Sequence, residues 1–110
     1  MIVAIITLYY PQRDNIDNVI EISRQVDKTI VCDNTPDFYD NYFKELENIK
    51  FYANKENLGL SGAFNIPLQD QSNDWNDDDF VIFFDQDSRI PDDYIEGIVR
   101  EYESIQRMGY

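Results

Sequence analysis

The run Ile2-Val3-Ala4-Ile5-Ile6-Thr7 offers no polar face. A strand with one wet side alternates apolar and polar residues, so a continuous β-branched run predicts a strand covered on both faces, as in a parallel sheet. Two more short apolar runs follow, Thr29-Ile30-Val31-Cys32 and Phe80-Val81-Ile82-Phe83-Phe84, and Ile49 to Ala53 reads as a shorter strand between them. The run from Phe80 is expected to be a buried strand. Between them, apolar residues recur at helical spacing. Ile16, Val19, Ile20 and Val26, with Ile22 beside them, predict a first helix ending before Asp27. Phe38, Tyr42, Phe43 and Leu46 predict a second, with Pro36 near its start. A last helix is expected from Pro91, with Ile95, Ile98, Val99, Tyr102 and Ile105 on one face. Asn57 to Asn65 reads as a loop entering a short helix that Pro67 breaks or kinks. Strands alternating with helices at this spacing predict an open α/β fold, its mostly parallel sheet flanked by helices.

Composition narrows the chemistry. The 110 residues hold 9 Lys+Arg against 22 Asp+Glu, a formal net charge of −13, with no His and one Cys. Such a chain is poorly suited to neutralise the phosphates of DNA or RNA, or to make a polybasic contact with anionic lipid. Without His there is no Ser-His-Asp triad and no His-ligated zinc, and Cys32 alone forms no internal disulfide. A reducing cytoplasm is the expected compartment. The longest strongly apolar runs, Met1 to Ile6 and Phe80 to Phe84, fall short of the roughly 20 residues of a spanning helix. The start lacks the basic region and cleavage site of a signal peptide.

In open α/β sheets ligands sit beyond the carboxyl ends of the strands. Polar clusters fall there three times: Thr7 to Pro11, Asp33-Asn34, and Asp85-Gln86-Asp87. Asp85 and Asp87 lie two apart at a strand end, where both carboxylates can converge on one point. Hard oxygen ligands suit Mg2+ or Mn2+, which complete their shell with water and phosphate oxygens. A diphosphate ester is then the natural ligand of an acidic protein, the metal supplying the positive charge. The plainer reading of Asp-x-Asp after a strand is a solvated turn. Gly59 and Gly62 are spaced Gly-x-x-Gly without the third Gly of a dinucleotide fingerprint or the Lys of a phosphate loop. They either let a helix pack close to the sheet or, with Asn57 and Asn65, shape the wall of a ligand site.

Taken together, Thr7 followed by Pro11, Val31-Cys32-Asp33-Asn34, Asn57-Leu58-Gly59-Leu60-Ser61-Gly62-Ala63-Phe64-Asn65 and Phe83-Phe84-Asp85-Gln86-Asp87-Ser88 resemble family 2 glycosyltransferases, and among them the rhamnosyltransferase-like branch. The resemblance implies a Rossmann-like GT-A fold that transfers a sugar from a nucleoside diphosphate donor with inversion at the anomeric carbon. It implies that Asp85 and Asp87 engage the metal and the donor, with Gln86 between them, and that Asp33 contacts the nucleoside base. Thr7, Tyr9 and Pro11 would line the nucleotide pocket, and Asn57, Gly59 and Asn65 would cross beneath the donor. The implied donor is dTDP-L-rhamnose, and the acceptor a growing polysaccharide or lipid-linked saccharide in surface polysaccharide synthesis.

The chain departs from the family after Asp87. An inverting transferase needs a general base for the acceptor hydroxyl, and the family's base lies well beyond Asp-x-Asp. The acids that follow here, Asp92, Asp93, Glu96, Glu101 and Glu103, belong to the polar face of one helix. The catalytic base is therefore expected outside this chain, which looks like the nucleotide-sugar-binding half of a longer, truncated GT-A enzyme, a single domain over 1–110 without its acceptor-binding half. The whole enzyme would be cytoplasmic or peripheral to the inner face of the membrane. Two other readings compete: a non-catalytic nucleotide-binding or acidic interaction module, and a haloacid-dehalogenase-type phosphatase, whose Asp-x-Asp normally opens its domain. Of seven Phe and eight Tyr, most are expected in the core, with Tyr9 and Tyr10 beside the site and Trp75 in an acidic loop. An uncovered edge strand or apolar face predicts a homo-oligomer.

Overall fold

The computed structural model describes residues 1–36, 42–43, 46–70, 73, 76 and 78–107, the last three of these without their side chains. The elements run β1 (Ile2–Leu8), α1 (Arg13–Ser23), β2 (Lys28–Asp33), β3 (Ile49–Ala53), α2 (Gly59–Gln69), β4 (Phe80–Phe84) and α3 (Tyr94–Arg107). All pairings are parallel, and the strand order is β3-β2-β1-β4. The structure is the expected α/β sheet with flanking helices, consistent with the GT-A type.

β1 holds the centre, paired with β2 from Val3↔Lys28 to Leu8↔Asp33 and with β4 from Ile2↔Phe80 to Ile6↔Phe84. Its side chains alternate between two apolar layers. Ala4, Ile6 and Leu8 join Val31 of β2, Ile16, Val19 and Ile22 of α1, and Ile95 of α3. Val3 and Ile5 join Ile30, Cys32 and, from α2, Ala63. Both faces of β1 are thus sealed, which is why its sequence is apolar throughout. Ile5 and Ile6 are 0% exposed, and each contributes about 1.5–3 kcal/mol by leaving water.

The layers follow from connection geometry. The chain steps from β1 outward to β2 and β3, then returns across the sheet to β4 on the far side of β1. A right-handed crossover in the reversed direction puts its helix on the opposite face. α2 is that helix, and β1 and β4 flank the point where strand order reverses.

Three expectations need correction. The first helix ends at Ser23 rather than running toward Asp27. Asn48 Nδ2 takes the Ser23 carbonyl at 3.0 Å, while Asp27 N–H and Oδ2 both bond to Ile2. The apolar spacing reached past the helix because Val26 still packs on the core. Second, α2 is not broken at Pro67 but continues to Gln69; so near the helix end the proline forfeits one hydrogen bond without stopping the chain. Third, β4 is not buried on both faces. It is an edge strand, with Phe84 6% and Phe83 45% exposed. α2 reaches only far enough to set the Phe64 ring 4.7 Å from that of Phe83. The helix expected from Phe38 falls largely outside the described residues; of its residues, Tyr42 and Phe43 lie in a turn and Phe43 is buried. Trp75 and the side chain of Ile105 are also outside the described residues.

Candidate functional site

Where β1, β2 and β4 end, at the reversal of strand order, the chain leaves a crevice of about 280 Å³. Thr7, Leu8 and Tyr9 line it from β1, Asn34 from the end of β2, Asn57, Gly59 and Leu60 from the start of α2, and Asp85 and Gln86 from the end of β4. A cavity of about 660 Å³ lies at the opposite ends of the strands, beside Lys28 and Lys50. Size does not decide between them: binding crevices of open α/β sheets form at the carboxyl ends, where loops diverge around the reversal.

The walls are held by side chains bonded to backbone. Asn34 sits at the centre. Its N–H bonds the Leu8 carbonyl at 2.9 Å, its Nδ2 donates to the Gly59 carbonyl at 3.2 Å, and its Oδ1 accepts from Asn54 Nδ2 at 2.9 Å. One residue thereby joins the ends of β1, β2 and β3 to the first turn of α2. Gly59 adopts φ 70 and donates its N–H to Asn57 Oδ1 at 3.0 Å. This bond is the local turn chemistry of Asn, and the positive φ is why glycine stands there. Gly62 serves close packing, since a Cβ would stand 2.9 Å from Leu58 Cβ.

On the β1 side, Tyr10 adopts φ 44, an unusual conformation for a side-chain-bearing residue. Its N–H is fixed to Thr35 Oγ1 at 2.7 Å, and the Thr35 N–H is fixed to Asp33 Oδ1 at 2.8 Å. The turn projects Tyr9 and Tyr10 outward, 44% and 59% exposed, with ring centroids 4.7 Å apart. An exposed ring pair at a crevice mouth suits a flat, partly apolar ligand.

Beyond β4 the chain forms a tight turn. Asp85 Oδ1 accepts the Asp87 N–H at 3.1 Å and Ser88 Oγ at 3.0 Å. Asp85 and Asp87 are both exposed, and Asp85 faces the crevice. Among the described residues no group of three or more His, Cys, Asp and Glu is placed to hold a metal. A donor set of two carboxylates does not make an all-protein cage. It does fit a hard cation that keeps several waters and takes its remaining oxygens from phosphate. No Lys or Arg is among the described lining residues, so such a cation would supply positive charge for a diphosphate there.

Of the residues expected at the site, Thr7, Tyr9, Asn57, Gly59, Asp85 and Gln86 converge on the crevice. Asp87 lies in the same turn but points toward α1, where Asn15 Nδ2 stands 3.4 Å from its Oδ1. Pro11 and Asn65 are not in the lining, and Asn65 is exposed on α2. Asp33 is also outside the lining and only 1% exposed, one carboxylate oxygen serving Thr35 and the other, Oδ2, buried without a partner among the described residues. Leu8, Asn34 and Leu60 also line the crevice, although the sequence assigns them no individual site role. Asn34 carried a signal, as a polar residue directly after a strand. Asp92 and Asp93, just before α3, and Glu96, Glu101 and Glu103 of α3 are exposed and are not among the described lining residues.

No helix among the described residues is long and apolar enough to cross a membrane. No curated protein matches the chain. The family model of glycosyl transferase family 2 matches residues 5–108.

Proposed function

The chain belongs to glycosyl transferase family 2, and from that premise we propose that the crevice holds the nucleoside diphosphate of a sugar donor. Family membership brings glycosyl transfer from a nucleotide sugar to an acceptor as the general chemistry. One observation carries the narrower reading. Asp85, the first carboxylate of Asp-x-Asp, shares a crevice at the strand-order reversal with Thr7, Tyr9, Asn57 and Gly59, although 78 positions separate Thr7 from Asp85.

In this reading the exposed Tyr9 ring packs against the nucleoside base, and Asn34 and Asn57 offer amide groups to its polar edge or to the ribose. Asp33 supports the base-side wall, and its unpartnered Oδ2 is a strong acceptor for any donor N–H that reaches it. Asp85 and Asp87 would hold Mg2+ or Mn2+, which supplies charge stabilisation for the departing diphosphate when bound. As the acceptor oxygen forms its bond to the anomeric carbon, the bond to diphosphate breaks and the hydroxyl proton passes to a base. The described lining contains no acid besides Asp85. In this reading the described residues bind and orient the donor, and the base lies outside the described lining. The resemblance of the Asn57–Asn65 and Phe83–Ser88 segments to the rhamnosyltransferase-like branch supports dTDP-L-rhamnose as the donor, with a saccharide or lipid-linked acceptor.

Titration calorimetry of dTDP, UDP and GDP, with and without Mn2+, tests the reading. Metal-dependent binding abolished in Asp85→Asn/Asp87→Asn is expected, with dTDP preferred. A folded chain that binds none of the three overturns it. The absence of a second acid in the described lining also favours binding without turnover, and transfer to an added saccharide acceptor would refute that.

A further inference from the structure

Two asparagines of α1, absent from the cavity lining, hold the turn that carries Asp87. Asn15 and Asn18 are 9% and 7% exposed, one helical turn apart on the same face. A buried amide in a helix interior needs partners, and these two find theirs in residues 86–88. Asn15 Nδ2 donates to the Gln86 carbonyl at 3.1 Å and approaches Asp87 Oδ1 at 3.4 Å. Asn18 Nδ2 donates to the Ser88 carbonyl. The same turn is tied on its other side, where the Tyr9 N–H donates to Gln86 Oε1 at 2.9 Å.

Ile16, Val19 and Ile22 supply the apolar contacts of α1 with the sheet, and Asn15 and Asn18 are not part of that cluster. Their donors instead meet consecutive groups of one exposed turn, across 70 to 72 positions of sequence. The Asp87 carboxylate is thereby held with one oxygen toward α1, before any ligand arrives. Preorganised ligand residues bind a cation more tightly because less freedom is lost on binding.

We propose that Asn15 and Asn18 are positioning residues for the diphosphate and metal subsite, clamping residues 86–88 so that Asp87 is set for a cation. This rests on the reading of the crevice given above. Neither residue touches the ligand; both act through the turn.

The test uses Asn15→Leu and Asn18→Leu, each close in size to Asn and without the donor. Asn15 Oδ1 also accepts the Gln12 N–H at 2.8 Å at the start of α1. Asn18→Leu leaves that bond intact, so an effect shared by both variants is not a capping effect. In the absence of ligand, amide exchange followed by NMR is expected to accelerate at Tyr9 and Asp87 while β1 and β2 keep their protection. In calorimetry with dTDP, the gain in affinity brought by Mn2+ is expected to fall about tenfold or more, with metal-free affinity unchanged. Wild-type exchange rates at Tyr9 and Asp87 in both variants overturn the proposal, as does an equal loss of metal-free and metal-dependent affinity. A wild-type chain that binds no nucleotide defeats the reading of the crevice alone, and the exchange arm still decides the clamp.

Discussion

The Tyr9 backbone N–H donates to Gln86 Oε1 at 2.9 Å, joining the loop after β1 to the turn after β4 across 77 positions of sequence. The two strands are neighbours in the sheet, but their ladder runs only as far as Ile6↔Phe84. Past that point the Gln86 side chain, one of the lining residues of the crevice, takes over. A ligand seated there meets two walls that this side chain helps to tie together.

Gln86→Ala is therefore expected to loosen the crevice without unfolding the chain. A single neutral hydrogen bond contributes about 0.5–1.5 kcal/mol, which corresponds to roughly a 2- to 13-fold loss of nucleotide affinity. Calorimetry reads the affinity and thermal melting reads the fold. An unchanged affinity would show that the tie has no part in binding.

Asp85→Asn separates charge from geometry. The Asn side-chain oxygen can still accept the Asp87 N–H and Ser88 Oγ that Asp85 Oδ1 now receives. Stability is expected to change by less than about 1 kcal/mol, since the turn bonds persist and the site is exposed. Mn2+-dependent nucleotide binding is expected to vanish. Retained metal dependence in this variant would remove Asp85 from the metal site.

Gly59→Ala isolates a backbone cost. Nothing stands within 4 Å of the position a Cβ would take, so no clash arises. The φ of 70 remains, and forcing an L side chain into that region costs about 1–2 kcal/mol. Chemical denaturation is expected to show a loss of that size, with nucleotide affinity reduced because the Gly59 N–H and carbonyl tie Asn57 and Asn34 to the wall. A neutral effect on stability would mean that the turn relaxes.

Cys32 gives a pH-dependent prediction. It is 0% exposed in β2, and burial alone pushes its thiol up to about 12. The native chain holds the proton more tightly than the unfolded chain, whose thiol ionises near its ordinary value of about 8.5. The stabilisation is complete below that value and is lost as pH rises through the interval toward 12. A thiol reagent at pH 8 is expected to label the chain only after denaturation, and Cys32→Ala is expected to flatten the alkaline fall in stability. Rapid labelling of the native chain would contradict the burial.

Much of the fold is legible residue by residue. The bounds of β3 and β4 are those expected from the sequence, and each strand is flanked by polar residues, Asn48 and Asn54 for β3 and Asp79 and Asp85 for β4. β1 extends only to Leu8, one residue beyond its run. The excess at the end of α1 has a different origin: Val26 is apolar for the core but lies outside the helix. Period alone does not distinguish a residue that continues a helix from one that packs beside it. Phe83 went astray in a similar way. A continuous apolar run does not reveal whether its strand is central or at an edge, and edge status is a property of strand order.

Local chemistry determined which elements form and which polar residues end them: the apolar run of β1, the turn residues after each strand, the glycine at 59, and paired carboxylates after β4. Those depend on side-chain type and on neighbours two to four positions away, which a sequence displays directly. Tertiary structure decided who meets whom. The return of the chain across the sheet set β4 beside β1, and so brought Asp85 to Thr7, Tyr9 and Gly59. It buried Asp33 and turned its neighbour Asn34 into the crevice, because their side chains leave the end of β2 in different directions. It set Asn15 and Asn18 under the Asp87 turn. These contacts span 25 to 78 positions, and only the packing of the whole sheet specifies them.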